Sequence, residues 1–511
     1  MSPSAPSPTA VGSVLPRVPH LLAALGLARV PVALLLLTLL LPAPVTSQYY
    51  QTDFDAEEFR GRWAQVYDAI GSDAVAVLQG FPVQDGYIYP RQYNNFYYLS
   101  GIERPGAYLL LDGRTRTTTL YLPPRSESLD RAEGPEMGAE HGELLRELMG
   151  VDRVTSTEVL ADLTWPVNPA FATSPGVAAA TAIYAEFAEP ELAGQTRGLL
   201  RTAAGARAAD PWDGQITRQQ QFVEHLRDRN PGAEVRDLNP ILDRLRSIKS
   251  PAEVALIRRA CQLTGLGLME AMKSTAPGVY EYQLDAAARY VFLVNGARLE
   301  GYRSITAAGT ENIGRLHYFR NIGPLRDGDL VLMDYAPDYR NYTCDVGRVW
   351  PVNGSYQYET QRELLQVILE FHKAVLERIR PGVTSDEILR EAQIAMEPVF
   401  ARTQFSKPIY EAAARRMVET GGGVFSHTVG MAVHDVGRYR GAPLQPGQVF
   451  SVDPQLRVPE EGLYLRYEDT VVVTETGVEN FTDFMPMELA DMERLVREAG
   501  IVQLVPPVAG R

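Results

Sequence analysis

Asp334 and Asp345 lie in a stretch, LMDYAPDYRNYTCDVGRVW (residues 332–350), that otherwise reads as two short apolar strands about a turn. Aspartate is a poor strand former, so two of them in such strands need a chemical reason. The turn signal lies at residues 338–341, and folding there sets Tyr335 opposite Cys344 and Asp334 opposite Asp345. Like charges directly opposed on paired strands repel, with Cβ atoms about 5 Å apart. A cation held between them converts that repulsion into coordination.

Four further features point the same way. In FSHTVGMAVHD, His427 and His434 are seven residues apart, which sends them to opposite faces of a straight strand. A bend must therefore separate their roles, leaving one free to be a ligand and the other not. In YLRYEDTVVV, Arg466 and Glu468 are two apart on a strand and share a face. Asp453 precedes Pro454 at a strand end in SVDPQ, and His317 follows the turn-like TENIG. Each has a plain structural reading when taken alone: a packed histidine pair, a surface ion pair, a turn residue. Together they set Asp, Asp, His, Asp and Glu in order across 135 residues of one domain, which the plain readings do not explain.

The elements that must position these residues fall into two groups. Residues 53–245 alternate short apolar runs (AVAVLQG, FYYLSG, AYLLL, TTLYL) with helical stretches such as HGELLRELM, the pattern of an α/β domain. In SIKSPAEVALIRRACQ, Ser250 is an N-cap, Pro251 stands at the first helical position and Glu253 closes a capping box. A second domain, residues 251–500, is expected to begin there. Another capping box, Thr384 to Glu387, opens a further helix, and β segments are expected at 329–350, 424–434, 447–453 and 463–474.

At 511 residues the chain is too long for one core. Its formal charge of −14, without any long Lys/Arg run, argues against nucleic acid as a partner. Residues 1–47 carry Arg17 and Arg29 before the apolar run VPVALLLLTLL, which is short of the roughly 20 residues of a membrane span. The segment is expected to be a signal peptide cut near Gln48, with Val45 and Ser47 at the small-residue positions. An uncleaved N-terminal anchor is the alternative, and the only expected route to a membrane. Cys261 and Cys344, the sole cysteines, make no disulfide framework and are expected to be buried thiols.

The sequence resembles the pita-bread metallopeptidases, and among them the Xaa-Pro aminopeptidase (aminopeptidase P) and prolidase group. YPRQYNNFYYLSG (residues 89–101) looks like that family's creatinase-like N-terminal domain, and IKSPAEVALIRRA like the start of its catalytic domain. SITAAGTENIGRLHY, LVLMDYAPDYRNYTCDVGRVWPV, SHTVGMAVHDVG and LYLRYEDTVVVT match successive catalytic motifs. The resemblance implies an α/β N-terminal domain followed by an α+β pita-bread catalytic domain. It also implies two divalent metal ions, Mn²⁺ above all with Co²⁺ or Zn²⁺ possible. Their ligands would be Asp334, Asp345, His427, Asp453 and Glu468, with Asp345 and Glu468 bridging. Asp453 would further be the general base, His434 a hydrogen-bond donor to the oxyanion, His317 a substrate-positioning group and Arg466 an orienter of the carboxylates. Peptides with proline in second position would be the substrates, and a homo-oligomer, dimer or tetramer, the assembly.

Two positions depart from the family pattern. Where the family has VEPG, this chain has Val452, Asp453, Pro454 and Gln455, so the carboxylate is one methylene shorter. Where the family has a histidine four residues before the ligand histidine, this chain has Gly423. Retention of a coordinating side chain at all five ligand positions favours an active exported aminopeptidase. The alternatives are a prolidase acting on dipeptides, a metal-free creatinase-like hydrolase and a peptide-binding module that has lost catalysis.

Overall fold

The computed structural model describes residues 50–507, apart from 84, 85, 87 and 163. The expected leader, residues 1–47, lies outside the described residues. Among those described, no helix is long and apolar enough to cross a membrane.

The N-terminal part is built on one six-stranded mixed sheet of order β4-β3-β2-β1-β5-β6. Its strands are β1 (Ala74–Gln79), β2 (Tyr108–Asp112), β3 (Thr117–Leu122), β4 (Arg153–Ser156), β5 (Ala182–Ala185) and β6 (Glu234–Asp237). Strand β1 is buried along its whole length, as a central strand covered on both faces must be. The helix Ala56–Ile70 is started by Asp55, whose side chain accepts from the N–H groups of Glu57 and Glu58. Its Phe59, Trp63, Val66, Tyr67 and Ile70 form a buried stripe at helical spacing. Burial of each such aromatic contributes about 2–3 kcal/mol. The run FYYLSG is not a strand: residues Asn94–Ser100 form a helix that stops at Gly101, a left-handed C-cap.

Both capping boxes form. Ser250 and Glu253 cap the helix Pro251–Lys273, and Thr384 and Glu387 cap Ser385–Arg402. Around these helices lie short strands: β7 (Leu299–Glu300), β8 (Ile305–Ala308), β9 (Leu330–Asp334), β10 (Pro337–Asp338) and β11 (Gly347–Pro351). They are followed by β12 (Val449–Val452), β13 (Gln455–Val458), β14 (Leu463–Arg466), β15 (Asp469–Val473) and β16 (Val478–Asn480). The sheets β11-β9-β8 and β12-β15-β16 meet where Gly347 and Glu468 exchange two backbone hydrogen bonds, of 3.1 and 3.0 Å.

Three further expectations need correction. The turn in the aspartate hairpin falls at Arg340 and Asn341, both at positive φ, with Tyr339 paired to Tyr342. Asp334 therefore pairs with Gly347, not with Asp345. The slip is two residues, and because side chains alternate with period two the aspartates stay on one face as diagonal neighbours. Residues 424–434 form no strand, since the chain reaches them through Gly421, Gly422 and Gly423 and Phe425, all at positive φ. Only Thr428 is bridged there, to Phe450 and Asp435. Finally, Cys261 and Cys344 are not free thiols but a disulfide joining the helix Pro251–Lys273 to the hairpin arm that carries Asp345. Their sequence separation of 83 residues hid this, because pairing depends on spatial approach and not on spacing.

Candidate metal centre

Each ligand candidate is brought in by a different stretch of backbone. Asp334 ends β9, and Asp345 sits two residues before β11, its peptide clamped by Thr470 of β15. The Thr470 hydroxyl accepts from the Asp345 N–H at 2.9 Å and donates to its carbonyl at 2.7 Å. Asp453 follows β12 directly, and Glu468 lies between β14 and β15 at the junction of the two sheets. The carboxylates of Asp334, Asp345 and Glu468 offer oxygens all within 4.8 Å of one another. His427 Nε2 is 3.5 Å from Asp345 Oδ2 and 4.0 Å from Glu468 Oε1. Its Nδ1 is 3.3 Å from the Thr428 carbonyl, and a proton held there leaves Nε2 as the acceptor, with the Ser451 hydroxyl 3.2 Å away.

Among the described residues, Arg466 is the one cation seated directly among the acids. Its Nη2 binds Asp334, and its Nη1 is 3.3 Å from both Asp453 Oδ2 and Glu468 Oε2. Arg466 thus contacts three carboxylates from three separate stretches of chain. One guanidinium does not balance four buried carboxylates. Neither oxygen of Glu468 accepts a hydrogen bond, and neither does Asp453 Oδ1, although all three atoms are buried. Unpaired buried carboxylate oxygens carry a large desolvation cost. Burial, then the neighbouring Glu468, pushes Asp345 and Asp453 well above the usual carboxylate range. Without cations these carboxylates bind protons instead. Orphaned oxygens together with an imidazole whose lone pair points at them fit divalent ions.

The two histidines are not sent to opposite faces of a strand, because a loop folds them together. The rings of His427 and His434 lie 4.0 Å apart, and each offers a ring nitrogen within 4.8 Å of an Asp345 oxygen. Burial lowers the His427 pKa to about 4, and burial with His427 beside it does the same for His434. Both imidazoles are neutral at neutral pH. His317 makes no hydrogen bond to the cluster; it stacks on Phe319 and lines a cleft of about 650 Å³ with Glu311, Arg315 and Tyr318. Burial and then Arg466 lower its pKa.

Sequence reasoning missed Tyr302. Its hydroxyl donates to Asp334 and lies 2.9 Å from Asp345 Oδ1, tying the two aspartates together. Burial, then Asp345, holds the phenol well above its usual pKa, so it stays a donor. It enters from the loop before β8, two residues ahead of the SITAAG motif, and no spacing signal marks it.

Two family models match the chain: the N-terminal domain of aminopeptidase P over residues 59–165, and metallopeptidase family M24 over residues 255–475. A Xaa-Pro aminopeptidase of Haemophilus influenzae is 29% identical over 469 residues, covering 88% of this chain and 99% of the relative. The Escherichia coli Xaa-Pro aminopeptidase is 36% identical over 276 residues, 51% of this chain and 62% of that one. The structure of aminopeptidase P from E. coli in a low-pH form superimposes with a TM-score of 0.68 at 26% identity, covering 87% of this chain and 99% of the other. The fold is that of a pita-bread catalytic domain preceded by a mixed α/β domain, and the enzyme is a metallo-exopeptidase. The chain belongs to the aminopeptidase P and prolidase group of metallopeptidase family M24.

Proposed function

We propose that this protein is an aminopeptidase that releases the first residue of peptides with proline in second position. The observation that carries the reading is the clustering of Asp334, Asp345 and Glu468, with His427 beside Asp345 and Glu468, Asp453 joined to them through Arg466, and three buried carboxylate oxygens accepting no hydrogen bond. Relatives named as Xaa-Pro aminopeptidases support the substrate class. The five residues would hold two divalent ions, Mn²⁺ being best matched to an oxygen-rich shell with one imidazole. When bound, the ions supply Lewis-acid chemistry, making water more acidic and stabilising negative charge on the scissile carbonyl oxygen.

The chain's own groups do the rest. Asp453 presents an unpaired Oδ1 that accepts the proton of the attacking water. His434, neutral and exposed toward the cluster, donates a hydrogen bond to the carbonyl oxygen as charge develops there. Arg466 fixes the carboxylates, and His317 on the wall of the adjoining cleft positions the peptide. Cleavage of Xaa-Pro-Xaa tripeptides, with far slower cleavage of Xaa-Ala-Xaa and loss on chelation, is the expected result. Cleavage of dipeptides alone overturns it.

Export belongs to the same reading. The charged and then apolar leader, residues 1–47, is joined by the Cys261–Cys344 disulfide, a bond that persists in oxidising compartments. Mass spectrometry of the secreted or periplasmic protein should find a new N-terminus near Gln48 and no free thiol. Assembly as a dimer or tetramer completes the proposal, and light scattering of the purified protein tests it.

A further inference from the structure

Gln455 opens β13 two residues beyond Asp453, so the two side chains lie on the same side of the chain across Pro454. Its backbone N–H donates to the Gly422 carbonyl at 2.9 Å, which pins the start of β13 against the glycine run 421–423. Its side-chain Nε2 donates to Asp453 Oδ2, and its Oε1 accepts from Arg457 Nη2 at 3.1 Å. The amide is thereby oriented from both ends, since the reverse placement would set oxygen against carboxylate and nitrogen against guanidinium. Asp453 Oδ2 is taken by Gln455 and Arg466, and Oδ1 is left as the single free oxygen.

Gly423 faces the same amide. A Cβ at Gly423 would lie 2.6 Å from the Asp453 carbonyl oxygen and 2.8 Å from both Cδ and Nε2 of Gln455, at a φ of +120°. The space at 423 is empty of side chain because Gln455 occupies it. The bare residue at 423 and the long polar one that ends the VDPQ motif at 455 are thus one exchange seen from two sides.

We propose that Gln455 is a positioning residue of the metal centre, and that Gly423, Asp453 and Gln455 form a single interdependent unit. The Gln455 amide holds Oδ2 so that the short aspartate carboxylate presents Oδ1 to the site, and Gly423 clears the room for it. The inference rests on the metallopeptidase reading above. It follows that glutamate at 453 does not fit beside Gln455, because the extra methylene drives the carboxylate into the amide.

The test is Mn²⁺ binding to the chelator-stripped full chain, measured by calorimetry, with thermal unfolding of the stripped protein as the folding control. Gln455→Ala and Gln455→Glu should each bind Mn²⁺ about tenfold or more weakly than wild type. The glutamate keeps the volume but loses the donor, so it reports the hydrogen bond even if the alanine variant folds poorly. Asp453→Glu should also bind weakly, and Asp453→Glu combined with Gln455→Gly should recover to within a few-fold of wild type. Gln455 variants that bind within twofold of wild type, or a double variant whose loss is the product of the two single losses, would overturn the unit. Wild-type protein that binds no Mn²⁺ would overturn the metal reading itself, and this outcome is distinct from both.

Discussion

Glu468 and Asp469 are adjacent in the chain and equally buried, at 1% and 0% exposure, yet their surroundings are opposite. Asp469 receives Arg348 at 2.6 Å and the Thr482 hydroxyl on one oxygen, with His372 Nε2 3.2 Å from the other. Burial works against its charge, but Arg348 and His372 overcome it and hold the carboxyl well below the usual range. Neither oxygen of Glu468 has a hydrogen-bond donor. The same division splits His434 from Asp435. His434 looks toward the carboxylates, while Asp435 is clamped by Arg246 and by Lys249 at 2.9 Å. A buried acid with its own bases belongs to the scaffold, and a buried acid left short of cations belongs to a site that binds them.

The largest effect expected from this contrast is at Asp345. Asp345→Ala removes a carboxylate placed between His427 and Glu468, one that would serve both ions of the proposed pair. Activity should fall by roughly 10³-fold or more, the size of several kcal/mol of lost charge stabilisation. Elemental analysis should show a greater loss of metal than in Asp453→Ala. Equal losses in the two variants would remove the bridging assignment.

On the balanced side, Asp435→Asn should act through folding. It leaves Arg246 and Lys249 buried, both at 1% side-chain exposure, without their common partner. Removing one member of such a cluster costs about 3–5 kcal/mol. The denaturation midpoint of the stripped protein should drop accordingly, with Mn²⁺ stoichiometry of the folded fraction unchanged. Loss of metal without loss of stability would erase the distinction drawn between the two clusters.

The two clusters also differ in sign with pH. Asp435 and Asp469 have depressed folded-state pKa values, so the native state binds fewer protons than the unfolded one near their titration. Their stabilisation is full above the unfolded value of about 3.9 and is lost as pH falls through the folded values. Asp345 and Asp453 are raised in the stripped protein, so there the native state binds more protons, and their contribution falls as pH rises. Neutral His427 and His434, lowered to about 4, oppose this only below about pH 6.5. Since Mn²⁺ displaces the carboxylate protons, the gap in melting temperature between loaded and stripped protein should widen as pH rises. A gap that is constant from pH 5 to 8 would show that no raised carboxylate lies in the site.

Much of this contrast was legible in the sequence because its carriers are local. Capping boxes at Ser250 and Thr384, the aspartate pair and the Arg466–Glu468 face depend on spacings of two to eleven residues. The exact register was not legible, since Arg340 at positive φ is not a residue that advertises a turn. Nor was the Cys261–Cys344 pair, nor the packing of Gln455 against Gly423, because each is an approach between separate segments. The period-two rule explains why the site survived the misplaced register: a slip of one residue would have sent Asp345 to the other face, while a slip of two did not.

The smallest effect expected is at Tyr302, and it probes the unbalanced cluster from its neutral side. A phenol has one proton and here faces two carboxylates, so it draws Asp334 Oδ1 and Asp345 Oδ1 together without adding charge. Their Oδ2 atoms are left to Arg466 and to the His427 side. Tyr302→Phe keeps the ring and its packing against Tyr335, 6.5 Å away between centroids, and deletes only the hydrogen bond. Neutral hydrogen bonds to a ligand shell typically tune metal affinity by about 10- to 100-fold, and the lower end applies because neither aspartate loses its oxygen donors. Mn²⁺ affinity should therefore fall about tenfold, with kcat at saturating Mn²⁺ changed little, since no reacting atom is touched. If kcat falls by 10³-fold while Mn²⁺ affinity holds, Tyr302 touches substrate, and its place moves from the scaffold of the acids to the chemistry they support.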